Sequence, residues 1–180
     1  MVSGTPELLL EKGRIAKKER RLQEATDLFR KALAESHTSE DRALRAVLYE
    51  ELAYVERNLR ELETAEANYR KAAEIFRSLD DPLKTAHTVR HAADILREQK
   101  KTEQAALLYA ESLEIYRGHK ETPALDLANA IRGFALLKEQ TGDRDRALSL
   151  WSEARDLYDL TGIDAGMSEC RARIKLLEVD

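Results

Sequence analysis

The chain has 180 residues, enough for one domain with a sizeable core or a short repeat array, and too few for two ordinary domains. Strong helix formers dominate, while seven Gly and three Pro leave little for hairpins; this predicts an all-α chain and argues against sheet-based enzyme folds. The formal charge of −4 argues against a dedicated nucleic-acid partner, and a single cysteine, Cys170, leaves no internal disulfide and no cysteine zinc cage.

The segment from Met1 to Arg20 carries only the short apolar run Leu8-Leu9-Leu10 before charges resume, and lacks the apolar core of a signal peptide. The longest apolar stretch, Ala105 to Ala110, is too short to span a bilayer, so the expectation is a cytoplasmic chain with no membrane partner. Helix pairs are predicted over about 6–37, 40–79, 82–118 and 123–161. Thr5-Pro6, Asp81-Pro82 and Thr122-Pro123 each set a capping residue before a proline suited to the first turn, and Thr38/Ser39 can cap the helix beginning near Glu40. Gly118 and Thr161-Gly162 suit helix ends. A last helix near 164–178 spaces Met167, Cys170, Ile174 and Leu177 along one apolar face with charges between, as a solvating end cap would. Cys170 belongs to that face, and inert packing is its expected role. Without a linker or low-complexity tract, residues 1–180 read as one domain.

The second helix of each pair repeats one phrase. It runs Ala25 to Ala32, Ala65 to Ala72, Ala105 to Ser112 and Ala147 to Ala154, with the aromatics Phe29, Tyr69, Tyr109 and Trp151 four residues after the leading alanine. The leading alanines are 40, 40 and 42 residues apart. Twelve residues before each stands another small residue, Gly13, Ala53, Ala93 or Ala135, preceded four earlier by Leu9, Tyr49, Val89 or Ile131. Small residues on both helices permit close approach, and the aromatic fills the space beside them.

This pattern resembles the tetratricopeptide repeat family over nearly the whole chain, in a long-period form with repeats at about 6–39, 40–81, 82–122 and 123–163. A further aromatic at Phe76, Tyr116 and Tyr158 marks longer second helices, and the glycine of the helix turn occurs only as Gly142, with Arg20, Arg60 and Lys100 at the equivalent places. The resemblance implies a right-handed α-solenoid of four antiparallel helix pairs plus a C-terminal capping helix. It also implies a non-enzymatic interaction scaffold or adaptor, without cofactor, holding a peptide or partner helix in a concave groove.

Carried over from the family, the groove positions of the four first helices are Glu7, Leu10, Arg14 and Lys17; Val47, Glu50, Tyr54 and Arg57; His87, Arg90, Asp94 and Arg97; and Asn129, Arg132, Leu136 and Glu139. Six of these are Lys or Arg and four are acidic, so the strip is relatively basic and an acidic or carboxylate-rich segment is the expected partner. Lys17, Arg57 and Arg97 recur at one-repeat intervals. Charged residues on a face that merely keeps the array soluble would give the same count. The family's clamp for chaperone C-termini is not expected, since Leu10 and Arg14 stand where it uses Lys and Asn. His87, His91 and Asp94 follow helical spacing and open the alternative of a metal-dependent hydrolase, although Arg90 lies between the histidines and no general base follows the first. A structural module that assembles with copies of itself is the other alternative.

Overall fold

A computed structural model describes residues 4–36 and 41–179. Among them stand nine helices and no strand: α1 (Pro6–Lys18), α2 (Leu22–Glu35), α3 (Arg42–Asn58), α4 (Leu62–Ser78), α5 (Pro82–Glu98), α6 (Thr102–Gly118), α7 (Ala124–Gln140), α8 (Arg144–Thr161) and α9 (Asp164–Val179). The Thr38/Ser39 cap lies outside the described residues. Thr5 caps α1 through its hydroxyl, which accepts from the Leu8 amide at 3.4 Å, and the Asp81 carboxylate accepts from the Lys84 amide at 3.0 Å at the start of α5. Thr122 differs from its expected role. It donates its hydroxyl to the Tyr116 carbonyl at 2.7 Å, leaving Pro123 to flank α7, because closing the α6–α7 loop takes the side chain that a cap would need.

The turns share one closure. After α1, the Arg21 amide reaches back to the Ala16 carbonyl at 2.9 Å and the Arg20 amide to Lys17 at 3.1 Å; Glu61 to Glu56, Lys101 to Leu96 and Asp143 to Lys138 repeat the longer bond at 2.9 Å. This double closure satisfies the last carbonyls of a helix and requires one left-handed residue. Gly142 takes it at φ 75° without strain, whereas Arg20, Arg60 and Lys100 take it at 64°, 67° and 61°. An L side chain there costs roughly 1–2 kcal/mol.

The helices gather into two compact units, one reaching Ile95 and the other beginning at Leu96, so the division falls inside α5 and follows no repeat junction. In the first unit α1 packs on α2, α2 on α3 and α3 on α4; in the second α6 packs on α7, α7 on α8 and α8 on α9. The small positions lie at the crossings: Ala53, Ala93 and Ala135 are fully buried, as are the leading alanines Ala25, Ala65, Ala105 and Ala147. At Gly13 a Cβ would come within 2.3 Å of the Phe29 ring, so only glycine lets that ring lie flat against α1. The aromatics of the repeated phrase and of the longer second helices are all buried, each contributing on the order of 1.5–3 kcal/mol of apolar burial.

One polar core group had no signal in the repeat pattern. Glu56 is fully buried, accepting from the Asn68 amide at 2.7 Å and from Arg30 at 3.2 Å. At the end of the second unit, Gly166 of α9 sits so close to the Tyr158 ring that a Cβ would approach to 2.6 Å, and Cys170 is buried beside it, its thiol pushed up to about 11 by that burial. The face of α9 turned away is charged, apart from Leu176 and Val179, which are exposed. None of the described helices is long and apolar enough to cross a membrane.

Candidate functional site

In the first unit, the first helices α1, α3 and α5 bring their groove positions to one side. Helical spacing puts Glu50 and Tyr54 on the same face of α3 and His87 and His91 on the same face of α5. Together with Lys17 of α1, Glu51 of α3 and Tyr69 of α4 they surround a cavity of about 180 Å³. Five of these seven linings follow from the spacing of the repeat or of the histidines. Glu51 and Tyr69 do not: Glu51 lies one residue off the strip, and Tyr69 is the repeat's packing aromatic, buried yet forming one wall.

Glu51 changes the electrostatics of this face. Its two oxygens hold Arg14, at 2.7 Å, and Lys17, whose ammonium also lies 4.8 Å from the centre of the Tyr54 ring. Counted with Glu51, the first-unit face has four cations, Arg14, Lys17, Arg57 and Arg90, and four carboxylates, Glu7, Glu50, Glu51 and Asp94. The basic excess of the strip is balanced there. A sequence signal for this exists: Arg14 and Glu51, Arg57 and Asp94, and Arg132 and Glu169 are all pairs of opposite charge 37 residues apart, the distance at which successive first helices meet.

The histidines form a stack. The His91 ring lies parallel to Tyr69, with centroids 5.2 Å apart, and His87 meets it edge-on at 4.6 Å. Arg90 places an Nη1 donor 3.2 Å from His91 Nδ1, so that nitrogen accepts and the ring is neutral with its proton on Nε2. Burial first, then the charges of Arg90, His87 and Arg57, hold His91 well below the usual imidazole range. The 3.7 Å approach of His91 Nδ1 to Asp94 is therefore not an ion pair. Asp94 is instead held by Arg90 at 3.1 Å, with Arg57 at 3.8 Å. No three His, Cys, Asp or Glu side chains among the described residues are placed to share a metal ion, so the geometry gives the hydrolase alternative no support.

Glu50 is the group left least balanced. It accepts from the Thr88 hydroxyl at 2.7 Å, and among the described residues no ion pair joins it to a cation. Burial holds its carboxyl above the usual range, with the Thr88 bond partly offsetting this. Lys84, whose field also eases the charge, is bonded at 3.3 Å to Asp81.

In the second unit the corresponding positions are bonded to their neighbours. Asn129 accepts from the Tyr158 hydroxyl at 2.8 Å, and Arg132 takes both oxygens of Glu169 at 2.6 and 2.9 Å. Glu139 accepts from the Trp151 indole and from Arg173, the latter at 3.1 Å. Leu136 is half-buried, and Arg97 donates to the Tyr109 hydroxyl at 3.3 Å.

The tetratricopeptide repeat profile matches residues 44–118. No curated protein matches the chain. Among solved structures, BtubC from P. vanneervenii is 20% identical with a TM-score of 0.70, the match covering 92% of this chain and 76% of that one. Aspartyl phosphate phosphatase F from Bacillus subtilis is 16% identical with a TM-score of 0.85 over 96% of this chain, which spans 45% of its length. A Rap protein complexed with Competence and Sporulation Factor is 16% identical with a TM-score of 0.76, over 94% of this chain and 47% of that one. At these identities the likeness is one of fold. The tetratricopeptide repeat model thus matches residues 44–118, and the chain carries the all-helical fold seen in solenoids of the tetratricopeptide type.

Proposed function

We propose that the chain is a non-enzymatic interaction module that holds a segment of another protein on the first-helix face of its first unit. The observation that carries this reading is the cavity framed by Lys17, Glu50, Tyr54 and His87, where polar and aromatic groups from α1, α3 and α5 converge beside the exposed Tyr54 ring. A surface that only kept the chain soluble would have no reason to draw a carboxylate and two imidazole rings half out of water around an open space. The structural relative complexed with Competence and Sporulation Factor supports the idea that this fold carries a recognition surface.

The charge expected of the partner needs restating. Arg14 and Lys17 already share Glu51, Arg57 and Arg90 share Asp94, and Arg132 holds Glu169. An acidic segment would have to displace those carboxylates. Exchange of one exposed ion pair for another yields little free energy, so affinity must come from burial of apolar groups against Tyr54 and from the cavity itself.

Selection of displayed random dodecapeptides against the whole chain tests the reading. Peptides enriched on the wild type and lost on Tyr54→Asp or Lys17→Glu, with unchanged thermal melts, are the expected result. Enriched peptides indifferent to both substitutions would move the binding surface elsewhere.

A further inference from the structure

We propose that the first-unit cavity is a socket for the basic side chain, lysine or arginine, of the segment held on that face, a reading that rests on the face being a binding surface. Its walls are the rings of Tyr54, Tyr69, His87 and His91, with Lys17, held by Glu51, and Glu50 completing the lining. Ring faces attract cations, and more strongly where water is displaced. His91 contributes a neutral ring, because its Nδ1 accepts from Arg90.

The carboxylates decide the sign of the guest. Glu51 is saturated by Arg14 and Lys17, whereas Glu50 has the Thr88 hydroxyl and no cation paired with it among the described residues. An anionic guest would meet the half-buried Glu50 carboxylate at close range and be repelled by it. A cationic guest would complete the pair that Glu50 lacks. That its carboxyl is held above the usual range agrees with a charge short of compensation.

The molecule already contains a small copy of this arrangement. At the rim, the Lys17 ammonium sits 4.8 Å from the Tyr54 ring centre and is bonded to Glu51, an ammonium between an aromatic face and a carboxylate. The guest would repeat it one residue along α3, with Glu50 as the carboxylate and Tyr69 and the histidines as the rings. At about 180 Å³ the space is well below the roughly 300–1,000 Å³ of small-molecule sites. It suits the end of one long side chain and not a cofactor.

The test uses the whole chain and side-chain-sized probes, n-butylammonium and n-butylguanidinium, with butyrate as the opposite charge, followed by NMR of the tyrosine and histidine ring protons. The expected result is a saturable shift of the Tyr54, His87 and His91 resonances with the two cations and none with butyrate. Affinity should fall at least tenfold in Glu50→Gln and also fall in Tyr54→Ala, whose exposed ring can be removed without touching the core. Butyrate binding as tightly as the cations, or both variants binding within twofold of wild type, would overturn the proposal.

A second arm takes a dodecapeptide selected on the wild type and replaces each basic residue by glutamine. Loss of binding on one such replacement supports the socket. Binding that needs Tyr54 but no basic residue removes the socket and leaves the binding face standing. Cation binding without any face-dependent peptide overturns the face and, with it, the assignment of the guest to a partner protein.

Discussion

The two units build their first-helix faces from the same repeat positions and reach opposite outcomes. On α7 and α9 the side chains close on one another: Arg132 uses both oxygens of Glu169, and Glu139 gives one oxygen to the Trp151 indole and the other to Arg173. On α1, α3 and α5 ion pairs between and within helices hold Glu51 and Asp94, but among the described residues none reaches Glu50, and a cavity lined in part by rings remains open beside it. Fold alone therefore does not make a site. What differs is whether each charge on the face finds its complement among the described residues.

A finer contrast lies at the last groove position of α5 and of α7 and the aromatic twelve residues on. Arg97 donates to the Tyr109 hydroxyl, while Glu139 accepts from the Trp151 indole. A phenol oxygen can accept, whereas an indole N–H can only donate, so the partner changes sign with the ring.

The largest effects should come from closing space the core does not have. Gly13→Ala in the first unit and Gly166→Ala in the second each drive a methyl into an aromatic ring, and each should cost about 2–3 kcal/mol in urea unfolding. If Gly13→Ala also removed the cavity resonances' response to probes while Gly166→Ala left it intact, the site would be located in the first unit independently of its own residues.

Next is the sign rule at the groove's last position. Glu139→Ala strands the indole of a fully buried tryptophan and should cost about 2 kcal/mol, and Glu139→Gln, which keeps an acceptor, should recover most of it. Arg97→Ala should cost less, because its bond to the Tyr109 oxygen is long at 3.3 Å and the ring keeps its packing against Phe134. Equal losses from the two substitutions would contradict the rule.

Acid should act on the first unit through His91. Held below the ordinary 6.5 in the folded chain, it takes up its proton first in the unfolded chain. Its contribution is full above that value and declines as pH falls, by at most about 1.4 kcal/mol per pH unit. Glu50, held above 4.5, works in the opposite sense: its contribution is full below that value and is lost as pH rises through its raised one. Urea titrations at pH 7 and pH 5 should show a smaller acid loss in His91→Gln than in wild type and a larger one in Glu50→Gln. Parallel curves for all three would mean that neither group titrates differently on unfolding.

The smallest effect compares the turns. Arg60→Gly relieves a left-handed side chain and should add up to about 1 kcal/mol, less what the freer unfolded chain takes back. Gly142→Ala should lose about the same amount at the matching turn of the second unit. A loss from both would show that the Arg60 side chain contributes contacts exceeding its backbone strain.

By itself the sequence determined the helical pairs, their register and their core. Recurrence of Ala25, Ala65, Ala105 and Ala147, with an aromatic four residues on and a small residue twelve before, leaves one way to bury those faces, because helical period and side-chain volume are local properties. It also placed Glu50, Tyr54 and His87 on the first-helix face, and His91 one turn from His87. What it did not determine was which charges remain available. That depended on contacts in space, many between helices some 37 residues apart, where Arg14 and Lys17 share Glu51, Arg57 and Arg90 share Asp94, and Thr88 is bonded to Glu50. Tyr69 shows the same limit, since a residue whose spacing marks it as core also forms a cavity wall once α5 sets two imidazoles against its ring. Spacing fixes the face a side chain lies on. Only packing of the neighbouring helix decides whether its charge is met, since Coulomb and hydrogen-bond partners are chosen by distance in space.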